Sequence, residues 1–179
     1  MVSKLRQLLS ISLAILVFEP SASAQAPEYR QKEAQPRTGT LLIRDAPTRS
    51  EVALNRTYDE LTPEDKAIVH GWYEYIAPGD EPPFPIDGLG PIYKAIDRGR
   101  NIAPGQGDLY LAVTVGPDGK AKEVQVLKSP GKDISEFVAS ILLLTKYKPA
   151  LCDGQKCQMQ FPLYVTLKQL NNFSSTRNP

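Results

Sequence analysis

An α+β fold, a small antiparallel three-stranded sheet packed by helices, is what this chain predicts, and three observations predict it. Two runs of alternating apolar and polar residues, 107–115 and 121–129, flank Gly116-Pro117-Asp118-Gly119. An apolar stripe at helical spacing follows over 133–146. A third alternating run then occupies 157–167. The order is hairpin, helix, strand, with almost no slack between the pieces.

Each element has its own warrant. Leu109, Leu111, Val113 and Val115 alternate with Tyr110, Ala112 and Thr114, which predicts a half-buried strand with one apolar face. Pro117 pre-sets one turn position, and Gly119 supplies the positive φ that a tight connection needs. The return strand sets Val124 and Val126 against Glu123 and Gln125. For the helix, Asp133 is read as N-cap, with Glu136 three residues later in a capping-box arrangement. Ile134, Phe137, Val138, Ile141 and Leu142 form its stripe, and burying five such side chains contributes roughly 8–15 kcal/mol before entropy is subtracted. That helix must lie on the sheet. In the last strand Met159, Phe161, Leu163, Val165 and Leu167 alternate with Gln158, Gln160, Pro162, Tyr164 and Thr166.

Topology follows. A helical crossover links parallel strands, so the second and last strands both pair antiparallel with 107–115 when that strand lies between them. The last strand is then an edge, in keeping with Pro162, because proline cannot donate to a central ladder. An exposed edge invites another chain to add a strand. Gln158, Gln160, Pro162, Tyr164 and Thr166 are therefore the candidate partner-binding residues.

Upstream, Thr62-Pro63-Glu64-Asp65 carries the marks of a helix start, a capping hydroxyl followed by proline and acids. Ile68, Trp72, Tyr75 and Ile76 continue it at helical spacing as core residues, and Pro78-Gly79 ends it. His70, the single histidine, lies off that stripe and is read as a solvated surface residue. Glu81-Pro82-Pro83-Phe84-Pro85 must be extended, since each proline biases its predecessor away from helix. A short helix is expected next, with Pro91 at its start, Ile92, Tyr93, Ala95 and Ile96 as its stripe and Gly99 as its stop.

The N-terminus suggests export. Lys4 and Arg6 precede an apolar run over 8–18, Pro20 breaks it, and Ala22-Ser23-Ala24 offers a small-residue cleavage site, the pattern of a secretory signal peptide. The run is shorter than the about 20 apolar residues of a membrane span, so an uncleaved anchor is disfavoured. Cleavage after Ala24 removes two of 21 basic and one of 20 acidic side chains, which leaves the mature chain formally neutral. Neutrality argues against nucleic acid and against anionic lipid as partners. Cys152 and Cys157, the two cysteines, flank a four-residue turn, which in an exported protein reads as a disulfide. Closing so small a loop contributes about 2 kcal/mol. The spacing is not Cys-x-x-Cys, so a redox role is disfavoured and a metal site more so.

The resulting organisation is a signal peptide at 1–24, a mobile leader at 25–60, a helical extension at 61–100, the main domain at 101–169 and a flexible tail at 170–179. The leader, with Pro27, Pro36 and Pro47 and a lone apolar run at Leu41-Leu42-Ile43, is read as mostly disordered, with a short strand laid on the domain edge as the other option.

Several blocks together carry a family resemblance: Gly107-Asp108-Leu109 through Val115, Pro117-Asp118-Gly119-Lys120, Val124-Gln125-Val126-Leu127-Lys128-Ser129 and Lys146-Tyr147-Lys148-Pro149-Ala150. With the proline–aromatic–proline segment before them and the apolar strand after them, over about 82–167, they resemble the C-terminal domain of TonB-type energy transducers. The resemblance implies a periplasmic domain that grips a short peptide of an outer-membrane transporter by edge-strand pairing, along 157–167 here. It also implies Glu81, Pro82, Phe84 and Pro85 as candidate peptide contacts. The chain departs from the family in lacking a long Pro/Lys/Glu linker, in the extra residues that include the 92–96 helix, and in Glu81, where the family has glutamine.

The expectation is a periplasmic TonB-like protein-binding module, secreted by its signal peptide. Its partner would be an outer-membrane transporter or another envelope protein, and a homodimer by strand exchange is a further option. A membrane-anchored energy transducer for outer-membrane transport is the runner-up. A small envelope enzyme comes last: one histidine, no Gly-x-Ser-x-Gly elbow, no metal-ligand cluster and no phosphate-cradling glycine loop leave little machinery for catalysis. No catalytic residue, metal ligand or cofactor is assigned.

Overall fold

The computed structural model describes residues 28–31, 42 and 52–168. The stretch at 1–24 expected to be a signal peptide and the tail expected at 170–179 lie outside them. Twelve elements follow in order: strand β1 (Glu28–Gln31), a 3-10 turn (Tyr58–Glu60), helix α1 (Pro63–His70), β2 (Phe84–Pro85), α2 (Gly90–Gly99), β3 (Gly107–Val115), β4 (Ala121–Lys128), α3 (Lys132–Leu144), β5 (Tyr147–Lys148), β6 (Ala150–Cys152), β7 (Gln155–Cys157) and β8 (Met159–Leu167). The class is α+β, and its main sheet contains the three antiparallel strands β4-β3-β8 with β3 in the middle.

A fourth strand joins them. β1 pairs in parallel with β4, Glu28 opposite Glu123 and Gln31 opposite Val126, so the sheet order is β1-β4-β3-β8. Within the stretch expected to be a mobile leader, the backbone therefore reaches one sheet edge at 28–31, and Leu42 makes a buried antiparallel bridge to Tyr73. The 52–60 stretch contributes Val52 and Tyr58 to the core.

The hairpin forms as its turn chemistry dictates. The Gly119 amide donates to the Gly116 carbonyl at 2.9 Å, and the Gly116 amide to the Lys120 carbonyl at 2.9 Å. Gly119 sits at φ +75°, and a Cβ there would run into the Tyr147 carbonyl oxygen, so the position admits only glycine without strain. The Tyr147 amide in turn donates to the Gly119 carbonyl at 2.9 Å, which docks the hairpin turn onto β5.

Helix α3 lies across the sheet and buries Ile134, Val138 and Leu142 fully, along with Ser135 and Ala139. Phe137 and Ile141 flank the buried stripe and are only partly covered. Its start differs from the capping-box expectation. Gly131 is the N-cap, no side chain caps the helix, and Asp133 lies inside the first turn. Glu136 pairs instead with Lys132, 3.6 Å away on the same helix face. The helix also ends at Leu144, two residues short of the expected 146, where Thr145 turns extended.

Helix α1 begins as read, with the Thr62 hydroxyl accepting from the Asp65 amide at 3.1 Å and Pro63 in the first turn. It stops at His70, well before Pro78-Gly79, so Trp72 and Tyr75 do not share a helical face. Trp72 is buried, while Tyr75 is 63% exposed. Helix α2 matches its stripe, with Ile92 and Ile96 buried against the core.

On the face carrying α3, the core is completed by aromatic rings. Phe161 of β8 sits edge-on to Phe84 at 6.2 Å and to Trp72 at 6.3 Å, and 5.6 Å from Tyr147. β3 is not half-buried as expected. Tyr110 and Ala112 on its other face are each 1% exposed, so the central strand is enclosed on both sides.

Candidate partner-binding edge

β8 ends the sheet, and its register decides which backbone groups face outward. It runs antiparallel to β3 from Met159 opposite Val115 to Leu167 opposite Gly107, with Pro162 opposite Ala112. Proline has no N–H, so Pro162 occupies a position whose backbone points away from β3. Backbone direction alternates along an antiparallel strand, hence Gln160, Tyr164 and Thr166 point outward too. An independent contact agrees: the Tyr73 hydroxyl donates to the Gln160 carbonyl at 2.8 Å, from the side opposite β3. That hydroxyl caps the edge at its beginning, and burial pushes its pKa well above the ordinary tyrosine value. Among the described residues no backbone bond reaches Pro162, Tyr164 or Thr166 from outside the sheet. The open ladder is thus about five residues long, 162–166.

The five candidate edge residues divide by environment. Gln158 falls in the short break between β7 and β8 and is exposed. Gln160 has a buried side-chain oxygen, Oε1, without a hydrogen-bond partner. Pro162 is buried. The Tyr164 ring stands edge-on to Tyr110 at 6.2 Å. Thr166 donates through its hydroxyl to Asp108 Oδ1 at 3.0 Å, and Lys128 Nζ reaches Asp108 Oδ2 at 2.7 Å. Lys128, with Tyr164 and Thr166, holds the Asp108 carboxyl below its ordinary pKa. One carboxylate of β3 thereby ties β4 to β8 at the far end of the edge.

The proline segment lies elsewhere. Residues 81–85 run antiparallel along 147–151: Glu81 exchanges both backbone bonds with Leu151 at 2.9 Å, Phe84 pairs with Lys148 and Pro85 with Tyr147. Pro82 and Pro85 are buried and Phe84 is fully so. Glu81 is half-exposed, and its Oε2 lies 2.6 Å from Lys148 Nζ. Lys148 also sits over the Tyr58 ring, 4.6 Å from its centroid, with Lys66 at 5.0 Å. The Tyr58 hydroxyl, its pKa pushed up to about 12 by burial and by Glu81 and Asp59, bonds to His70 Nε2 at 2.9 Å. His70 is therefore partly buried and engaged by Tyr58, not simply solvated; the partner, twelve residues upstream, lies in a 3-10 turn that carries no periodic signal.

Cys152 and Cys157 form a disulfide across the β6–β7 hairpin, with Cα atoms 5.8 Å apart. The Asp153 amide at the hairpin tip donates to Asp80 Oδ1 at 2.9 Å. The hairpin is thus stitched to the chain just before the proline segment.

Among the described residues no group of three or more His, Cys, Asp or Glu side chains is placed to hold a metal, and no helix is long and apolar enough to cross a membrane. No protein-family model, curated protein or solved structure matches this chain.

Proposed function

We propose that this chain is a TonB-like protein-binding module of the periplasm that takes an extended segment of an envelope protein, such as an outer-membrane transporter, onto the free edge of β8. One observation carries the reading: residues 162–166 present outward backbone groups beside a strand whose inner face is locked into the core through Phe161 and Leu163. A rigid strand with an open ladder is the receptor that β-augmentation requires. The Tyr73 hydroxyl and the Asp108 clasp mark the two ends of that ladder. The sequence resemblance supplies the compartment and the partner class, and the neutral charge balance agrees with a protein partner.

Alternating proline substitutions on β8 test the reading. At Tyr164 a proline removes an outward N–H and the ring set edge-on to Tyr110, but no ladder bond to β3, so the fold persists at some cost in stability while the added strand loses its donor. At Leu163 it removes a ladder bond to β3 and a core side chain, which costs several kcal/mol, roughly 2–5 for the side chain alone. Cross-linking of each variant in periplasm is the assay. Capture of envelope proteins should vanish for Tyr164→Pro while its thermal unfolding remains cooperative. Undiminished capture by a folded Tyr164→Pro variant would refute edge pairing.

A further inference from the structure

Beside the start of β8 opens a cavity of about 380 Å³, within the range of about 300–1,000 Å³ found for ligand sites. Several parts of the chain build it, Leu42 and, from β6, Cys152 among them. The segment after α1 supplies Tyr75, Ile76 and Asp80, and the sheet supplies Thr114, Met159 and Gln160. Thr114 and Gln160 are cross-strand partners, so both project from one face of the sheet.

The lining has a consistent chemistry. Gln160 Oε1 is a buried acceptor that makes no hydrogen bond. Asp80 uses one oxygen for the Asp153 amide and has acceptor capacity left over. The Tyr75 ring offers a largely exposed aromatic face, and Ile76 and Met159 offer apolar wall. Among the described residues no lysine or arginine lines the space. Acceptors, a carboxylate, an aromatic face and an apolar wall are what a guanidinium on a hydrocarbon stem satisfies at once, through forked N–H donors, ring stacking and a buried stem.

Resting on the edge-pairing reading above, we infer that this cavity selects an arginine on the strand that β8 receives. Tyr73 already occupies the Gln160 carbonyl, so the added ladder stops at Pro162. The next residue of the incoming strand leaves the ladder at the cavity mouth, on the side of Gln160. Backbone pairing is blind to side chains, so this cavity supplies the discrimination that the edge alone lacks.

A library of random extended peptides, selected against the full chain, tests this. The selected strands should carry arginine at one fixed position relative to the paired stretch. Asp80→Asn keeps the acceptor for the Asp153 amide but removes the charge, and Tyr75→Ala alters an exposed ring. Each should weaken a selected arginine peptide at least about tenfold, the scale of one charge-assisted hydrogen bond, and abolish the arginine preference. Selection without arginine, or an arginine preference unchanged in Asp80→Asn, overturns the inference and leaves edge pairing standing. A selected peptide remade with methylated alternate amides should lose binding. If it does not, or if no peptide binds, edge pairing itself fails and the arginine site falls with it.

Discussion

Replacing Phe84 by alanine separates two roles that the proline segment could have. Phe84 is fully buried, with its ring 5.9 Å from Tyr58 and 6.2 Å from Phe161. Phe161 is the hub that also meets Trp72 and Tyr147, so the vacancy would open at the centre of the aromatic cluster. Truncating a buried phenylalanine costs about 3–5 kcal/mol, a large share of the 5–15 kcal/mol that holds a typical domain folded. Phe84→Leu keeps most of the volume and should lose about 1–2 kcal/mol, mainly the edge-on ring contacts. Urea unfolding followed by Trp72 fluorescence and by far-ultraviolet dichroism measures both variants. The expected pattern is two coincident transitions moved to lower urea with unchanged slope, alanine well beyond leucine. An alanine variant as stable as the parent but defective in partner capture would refute the placement of Phe84 in the core and make it a contact residue.

Three further outcomes are expected. Gly119→Ala forces a side chain into a positive-φ turn against the Tyr147 carbonyl, and should destabilise by about 1–3 kcal/mol in thermal unfolding; a neutral result would contradict the docking of the turn on β5. Folded-state pKa values of Tyr58, Tyr73 and Tyr147 are raised above the ordinary value of 10.0, that of Tyr58 to about 12. Their neutral forms favour the fold fully below pH 10, and that contribution is lost as pH rises through the folded values, so stability should fall between about pH 10 and 12. Tyrosinate absorbance rising for all eight tyrosines near pH 10 with the fold intact would contradict this. Serine in place of both Cys152 and Cys157 should cost about 2 kcal/mol, read as a lower thermal midpoint, and should loosen the contact of Asp153 with Asp80.

What could be read in the residues was whatever depends on near neighbours. The β3–β4 hairpin is announced by Pro117-Asp118-Gly119 between alternating runs, α3 by its five-residue stripe, and the edge position of β8 by Pro162. What escaped depends on distant ones. β1, Glu-Tyr-Arg-Gln, has no apolar alternation and gains its place from pairing with a strand some ninety residues later. The burial of Tyr110 and Ala112 needs knowledge of what faces the second side of the sheet. Asp133 and Glu136 have the spacing of a capping box, yet Gly131 starts the helix earlier, and the lysine at position 132 claims the glutamate. Among the candidate contacts, the extended form of 81–85 was legible from its prolines, but its partner, 147–151, was not. The Tyr73 cap and the cavity beside it come from a residue beyond the end of α1, where helical periodicity had suggested continuation.

The two borders of the main sheet are unequal, and this sets its valence. One border is β1, four residues long and parallel to its neighbour; the other is β8, nine residues long and antiparallel. A second copy adding head to tail would have to match the long border to the short one, and most of its ladder would go unmet. Two copies joined through β8 and β8 would instead close on a twofold axis and use up both long borders. Growth into a fibre is disfavoured by either route. On the edge-pairing proposal, a monomer would bind one strand per chain, and self-association would compete with the partner for the same five residues instead of adding new sites.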